Sequence, residues 1–302
     1  MPAHAHLLRQ FYAVQRLQLA KGTPVPFAEL QRYLLEQTSV GDFGGYELRT
    51  LQRDIPLIAE NFGVTIRSRR NHGYYIAETD PLTDSQQRLL QAFELQEFLR
   101  LPAALAQHVQ PEPRRPLGLE YLRLLLRAAQ TRQVVELDYQ KHWEDEPQRR
   151  TVGPLLLREF RERWYVLGTM EDSGWLACFA LDRIKGLETT IRPFIAPTDF
   201  DPATYFADCF GVTRPTNGEQ PQQILLRFET LQGRYVLSYP LHTSQRAVLV
   251  SDEEIRISLH VYETHELRME LLSYGAEVEV LAPASLRDWL RETHGAALPY
   301  LP

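Results

Sequence analysis

Around position 50 the chain sets Tyr46, Arg49, Thr50 and Arg53 at i, i+3, i+4 and i+7, with Gln52 at their edge. On a helix that spacing gathers them on one face. An arginine fork matches O6 and N7 of guanine, and a glutamine amide matches adenine. Threonine and tyrosine hydroxyls suit phosphate oxygens. Shortly after come Arg67, Arg69, Arg70 and His72. Three arginines in four positions suit phosphates or a minor groove. A second set is more dispersed: Tyr139, Arg150, Trp164, Tyr165 and Arg183. Two guanidinium forks and two phenol hydroxyls are good chemistry for phosphate, and tyrosine rings can stack on bases. Trp164 and Tyr165 are adjacent, so on a strand one of them faces the core. Arg183 beside Asp182 fits a structural ion pair equally well.

These residues act only if the chain holds them in place. Apolar positions Leu7, Phe11, Val14 and Leu17 predict a helix from about His4 to Ala20, stopped by Lys21-Gly22. Pro26 opens a second helix with Phe27, Leu30 and Leu34 as its core face. A turn over Gly41 to Gly45 leads to a third helix from about Tyr46. Its apolar stripe is Leu48, Leu51, Ile55, Ile58 and Phe62, and Pro56 inside it is expected to kink or shorten the helix. Val64-Thr65-Ile66 and Tyr74-Tyr75-Ile76 read as strands around the turn Asn71-His72-Gly73. The arginines at 67, 69 and 70 would then project on a hairpin. For the helix alone, a solvated amphipathic face is the better reading. The three-helix order and the basic hairpin together turn the balance toward duplex DNA.

Beyond Pro81 the pattern changes. Thr83-Asp84-Ser85-Gln86 resembles a capping box for a helix to about Arg100. Pro102, Pro111, Pro113 and Pro116 mark a bent connector. A helix with Leu119, Leu122, Leu126 and Ala129 on one face follows. Strands are expected at 134–139, 152–157, 163–169, 175–181 and 189–194, with a polar loop at 141–150 and a turn at Asp172-Ser173-Gly174. Short strands at hairpin spacing predict a small β-barrel. Residues 196–222 read as a second connector. The last segment alternates as strand 223–229, helix 231–238, strands 246–251 and 254–261, helix 264–274, strand 277–281 and helix 285–293, with Gly275 ending the second helix. The order βαββαβ is that of a ferredoxin-like sandwich.

Composition limits the function. The chain has 302 residues, 44% hydrophobic and 24% charged, which fits a soluble globular protein of two or three domains. No apolar run approaches the roughly 20 residues of a membrane span, and the first ten residues lack the halves of a signal peptide. Cys178 and Cys209 lie far apart and outside any C-x-x-C pair, against a disulfide framework or a zinc site. A cytoplasmic protein is expected. The net charge of −6 argues against a generally basic nucleic-acid binder. The charge is uneven, however: residues 1–80 hold nine basic and eight acidic side chains, and residues 81–302 hold 24 and 31. Only a local basic surface is needed to meet phosphates.

Tyr46-Glu47-Leu48-Arg49-Thr50-Leu51-Gln52-Arg53-Asp54-Ile55, closed by Gly73-Tyr74-Tyr75-Ile76, resembles the winged helix of bacterial WYL-domain regulators. Their pattern is Ser-x-Arg-Thr-x-x-Arg-Asp with a wing ending in Gly-Tyr-Tyr. Here the Arg-Thr-x-x-Arg-Asp core is intact, while Glu47 or a neighbour stands where the serine falls. The resemblance makes Asp54 structural. Val135 to Tyr139, Arg150 to Pro154, Trp164-Tyr165-Val166-Leu167 and Phe179 to Ile184 follow the family's middle domain in order and spacing. The naming Trp-Tyr-Leu triplet is Trp-Tyr-Val here, and Ala177 occupies a place where the family often has arginine. Leu241 to Gln245, Leu267 to Gly275 and Val278 to Pro283 resemble the WCX extension.

The resemblance implies an Sm-like barrel that senses a ligand, in some members a nucleic acid, and a WCX domain that assists dimerisation and sensing. The expected whole is an α+β multidomain protein: winged helix-turn-helix at 1–80, helical linker at 81–120, WYL domain at 121–195, connector at 196–222, and ferredoxin-like WCX domain at 223–302. The expected function is a homodimeric, sequence-specific double-stranded DNA-binding transcription regulator with an oligonucleotide or nucleotide effector. No cofactor, metal, catalytic residue or membrane partner is expected. One alternative is a module for single-stranded nucleic acid that does not bind an operator. Another is a nucleic-acid-processing enzyme, against which stands the absence of a Walker loop, G-x-S-x-G or H-E-x-x-H.

Overall fold

The computed structural model describes residues 2–36, 46–77, 90–92, 108 and 118–297. The expected turn at 41–45, the capping box at 83–86 and the prolines at 102, 111, 113 and 116 lie outside them. The chain divides into two compact units, Met1–Pro113 and Arg114–Pro302. Among the described residues no helix is long and apolar enough to cross a membrane.

The first unit comprises α1 (Pro2–Leu19), α2 (Phe27–Glu36), α3 (Leu48–Phe62) and an antiparallel hairpin of β1 (Ile66–Arg69) and β2 (Gly73–Ile76). Phe11, Val14 and Leu17 from α1, Leu30 and Leu34 from α2, and Leu51, Ile58 and Phe62 from α3 share one buried core. Leu48 does not join it and stays exposed. The helix runs through Pro56 to Phe62 rather than ending there. Pro56 is exposed, so its ring meets solvent and not a neighbouring helix. Gly63, left-handed at φ 66°, closes α3 by donating its N–H to Ala59 O.

The hairpin is tied back to the loop before α2. Val25 and Tyr74 exchange backbone hydrogen bonds of 2.7 and 2.8 Å. Gly73 permits this contact. Its φ is +113°, and a Cβ there would lie 2.1 Å from Val25 O. The glycine before the paired tyrosines is therefore set by a backbone approach that a side chain would block.

The second unit opens with α4 (Leu122–Thr131). Its buried residues are Leu125 and Ala128; Leu119 and Leu126 are exposed, and Leu122 and Ala129 are partly so. The expected face is thus rotated. Four leucines within five positions fit more than one helical phase, and packing on the following sheet selects one. That sheet has five antiparallel strands in the order β6-β5-β4-β3-β7: β3 (Gln133–Tyr139), β4 (Gln148–Phe160), β5 (Arg163–Met170), β6 (Leu176–Ala180) and β7 (Ile184–Pro193). β4 is longer at both ends than its apolar stretch predicts. Its register shifts between Pro154 and Leu156, the kind of place where a sheet interior tolerates proline. Among the described residues no ladder joins β6 to β7. A single 3-10 turn, Leu181–Arg183, links them.

A four-stranded antiparallel sheet follows in the order β11-β8-β10-β9: β8 (Gln222–Glu229), β9 (Arg246–Val250), β10 (Glu254–Val261) and β11 (Val278–Ala282). Helices α5 (Thr230–Ser238), α6 (His265–Ser273) and α7 (Ala284–Ala297) alternate with the strands. Thr264 caps α6, its hydroxyl accepting from Leu267 N. Alternation along β10 buries Ile255, Ile257, Leu259 and Val261 against Leu267, Leu271, Leu286 and Leu290. Residues 196–222 do more than tether. Phe206 and Cys209 pack with Leu167 of β5 and with Tyr262. The protein is thus α+β, built of antiparallel sheets and helices.

Candidate nucleic-acid interface and ligand site

α3 has two unlike sides. The inner side is fixed by Leu51, Ile58 and Phe62 and also by a buried charge. Asp54 is fully buried, and Arg9 of α1 grips it with two bonds, Nε to Oδ2 and Nη2 to Oδ1, both 2.7 Å. A bidentate fork fixes orientation as well as distance. Asn61 of α3 donates to Gln10 Oε1 at 2.9 Å beside it. The outer side carries Arg49, Gln52 and Arg53, all exposed, with Thr50 partly so. Arg67, Arg69, Arg70 and His72 are exposed on the hairpin. His72 Nδ1 lies 2.8 Å from Arg70 O, and Asn71 takes the left-handed turn conformation at φ 63°.

Tyr46 is a correction. It precedes α3 and is 1% exposed, so it is not on the outward face. Its ring stacks on Phe27 at 6.0 Å, and Gln31 Nε2 donates to its carbonyl at 2.7 Å. Burial raises its hydroxyl pKa. Tyr46 anchors the entry to the helix. The N-cap of α3 is Glu47, whose side chain makes no capping bond. Arg9 was missed by the sequence reading. Burial of every residue from Leu8 to Phe11, Arg9 included, is seen only in the folded chain.

The second set is only partly assembled. Tyr139 is buried, accepts from Ala180 N at 3.3 Å and meets Phe179 edge-on at 5.0 Å. Burial raises its pKa, and the nearby Arg183 guanidinium opposes the shift. Tyr165 is also raised by burial and lies in the fields of Arg163, Asp182 and Arg183. Tyr165 pairs with Ala180 across β5–β6 and Tyr139 with Ile184 across β3–β7, so both tyrosines converge with Arg183 at the β6–β7 turn. Arg150 lies elsewhere, donating to Gln148 Oε1 at 2.7 Å and helping to line a cavity of about 190 Å³ with Arg149 and Glu171. Trp164 packs on the core of the sheet. The ion pair considered for Arg183 goes instead to Arg163, 3.8 Å from Asp182. Asp182 Oδ1 and Arg183 Nε are buried with no hydrogen-bond partner among the described residues. The turn thus presents one unfilled acceptor beside one unfilled donor.

The outer face of the five-stranded sheet carries an ionic lattice. Arg149 reaches Glu136, Asp138 and Glu188 at 2.6–3.0 Å, and Arg192 reaches Glu136 and Glu171 at 2.7 and 2.8 Å. The Arg149 hydrogen bond holds the Glu136 carboxyl below its usual range. Two guanidinium groups answer four carboxylates there, so the lattice keeps a net negative charge and disfavours an anionic ligand.

Residues 120–189 match the WYL domain family, and residues 220–298 match the WCX domain family. The chain carries a WYL domain followed by a WCX domain. The curated relatives it matches include Protein PafB from Mycobacterium bovis and from Mycobacterium tuberculosis, each 30% identical over 174 residues, covering 56% of this chain and 50% of the relative. The chain spans about half the length of those relatives. Among solved structures it is similar to proteasome accessory factor B/C (PafBC) of Arthrobacter aurescens, at 20% identity and a TM-score of 0.37, over 99% of this chain and 48% of that one. The convergent tyrosines and Arg183 fall inside the WYL match; α3 and the hairpin precede both matches.

Of two thiols at the WYL sheet, Cys178 stands on β6 and Cys209 packs with Leu167 of β5. Burial pushes Cys178 from about 9 up to about 12 and Cys209 up to about 11. Both should stay protonated at neutral pH and resist alkylation until the protein unfolds. Because folding raises both values, these thiols favour the native state below pH 9 and lose that contribution as pH rises from 9 toward 12. Iodoacetamide labelling followed by mass spectrometry checks the first point, and urea midpoints at pH 8 and pH 10 check the second. Rapid labelling of native protein at pH 7.5 would contradict the burial.

Proposed function

We propose that the chain is a sequence-specific double-stranded DNA-binding transcription regulator, acting as a homodimer, with an effector site in its WYL domain. In this reading the first unit is a winged helix-turn-helix, with α3 in the major groove and β1-β2 as the wing. The five-stranded sheet is an open Sm-like barrel, and the four-stranded sheet with its helices is a ferredoxin-like WCX domain. Domain limits at 1–80, 81–120, 121–195, 196–222 and 223–302 complete it. The observation that carries the proposal is the two-sidedness of α3. Arg49, Gln52 and Arg53 project outward while Arg9 and Asp54 lock the opposite side. A rigid helix presenting forks and an amide near its N-terminus is what base reading needs.

The effector reading rests on the β6–β7 turn. An unfilled acceptor on Asp182 and an unfilled donor on Arg183, beside Tyr139 and Tyr165, suit a nucleotide or short oligonucleotide. The chain is read as a binding protein without a catalytic residue or cofactor. Cytoplasmic residence belongs to the same proposal.

The test is a mobility shift at fixed salt with three probes: the duplex upstream of the protein's own gene, an unrelated duplex, and either single strand. The expected result is a preference of about 10³-fold for one duplex sequence. Equal or tighter binding to single strands would move the reading to a single-strand module. Hydrolysis of any probe would move it to an enzyme.

A further inference from the structure

The WCX domain contains a groove that the nucleic-acid reading does not use. It lies between the edge strand β11 and helix α7, with a volume of about 560 Å³. That is within the range of small-molecule sites. Its apolar lining is Ala276, Val278, Val280, Leu290 and Ala297, of which Val278, Val280 and Leu290 are buried. Its rim is basic. Arg287, Arg291 and His294 line it together with Leu290. These four fall at i, i+4, i+7 and i+3 of α7, so one helical face delivers both the apolar wall and three nitrogen-bearing side chains.

Those side chains are weakly engaged. Arg287 Nε and Arg291 Nη1 each lie 3.8 Å from Asp288, beyond hydrogen-bond distance. Arg287 Nη1 makes a long bond of 3.4 Å to Leu281 O. Nε2 of His294 is buried with no partner among the described residues. Glu279, the carboxylate on the groove's lining, is held at 2.9 Å by Arg227. The groove thus offers an apolar slot, two guanidinium groups that share one loosely held carboxylate at 3.8 Å, and one buried imidazole nitrogen without a bond.

We propose that this groove binds a small amphipathic anion, with the apolar body along β11 and a carboxylate or phosphate head against Arg287, Arg291 and His294. Its occupation stands apart from DNA binding and from the β6–β7 turn. A guanidinium pair recognises either head group, since both accept forked hydrogen bonds. The slot selects for length, because each methylene it covers leaves water.

Isothermal titration of the full chain with hexanoate, octanoate and decanoate, all below micelle formation, tests the proposal. One saturable site is expected. Affinity should rise about fifteenfold per two methylenes, the equivalent of about 0.8 kcal/mol for each. Decylamine should bind at least tenfold more weakly than decanoate, and decyl phosphate comparably to decanoate or better. Arg287→Glu with Arg291→Glu should abolish that preference. Ala276→Trp, at an exposed lining position, should block the slot without altering the charge, and thermal melting confirms that each variant is folded. Absence of a saturable site, equal binding of decylamine, or unchanged binding in both variants overturns the proposal. Displacement of decanoate by a ten-residue oligothymidylate would also overturn it, because the groove would then be a nucleic-acid surface.

Discussion

Asp54→Ala should destabilise the first unit by about 3–5 kcal/mol, because it leaves the Arg9 charge buried without its carboxylate. Asp54→Asn should fall in the same direction by less, since an amide oxygen still accepts one bond. Replacing both partners, Arg9→Met with Asp54→Leu, should recover most of the loss, since a buried pair can be exchanged for apolar packing at little net cost. Urea unfolding followed by circular dichroism measures this, fitted with a separate transition for each unit. The recovery is the informative outcome. If the double variant is as unstable as Asp54→Ala, the pair does more than balance charge. If it is stable but reads DNA poorly, the fork sets the angle at which α3 presents Arg49 and Arg53.

Arg49→Ala combined with Arg53→Ala should abolish sequence preference while leaving the fold intact. Both side chains are exposed, and no core contact depends on them. Each bidentate contact to a base contributes about 1–3 kcal/mol of discrimination, so the pair accounts for about 10² to 10⁴ in the specific-to-nonspecific ratio. Arg70→Ala on the hairpin should behave differently, weakening all duplexes alike and reducing the salt slope by about one. Mobility shifts across a salt series separate the two effects. Sequence preference unchanged in the Arg49/Arg53 variant would remove α3 from its assigned role. A loss of stability in that variant would show that the outer face also packs.

The sequence by itself determined the type and rough place of most of the described elements and which charged positions of α3 face solvent. Period-3.6 stripes marked α1, α2 and α3, and period-2 alternation marked β3 and β10, because amphipathic burial is written locally. Arg49, Gln52 and Arg53 were legible for the same reason: the positions opposite a buried stripe face solvent. Tyr46 was not legible. It lies two residues before α3 begins, where helical periodicity no longer applies, and contact with Phe27 and Gln31 decides its burial.

Three further features were decided only by tertiary structure. Arg9 and Asp54 are 45 residues apart, and nothing local says that one charge must answer another. The phase of α4 depends on the sheet it covers, since its run of leucines permits several. In the WYL domain the chemistry of Tyr139, Tyr165 and Arg183 was readable as residue types. Their convergence required the pairing of β3 with β7 and of β5 with β6, and the exclusion of Arg150 the pairing of β3 with β4. Where a stripe is unambiguous, as on α3, local pattern fixes which way a side chain faces. Only the order and register of strands distant in sequence fix which side chains meet.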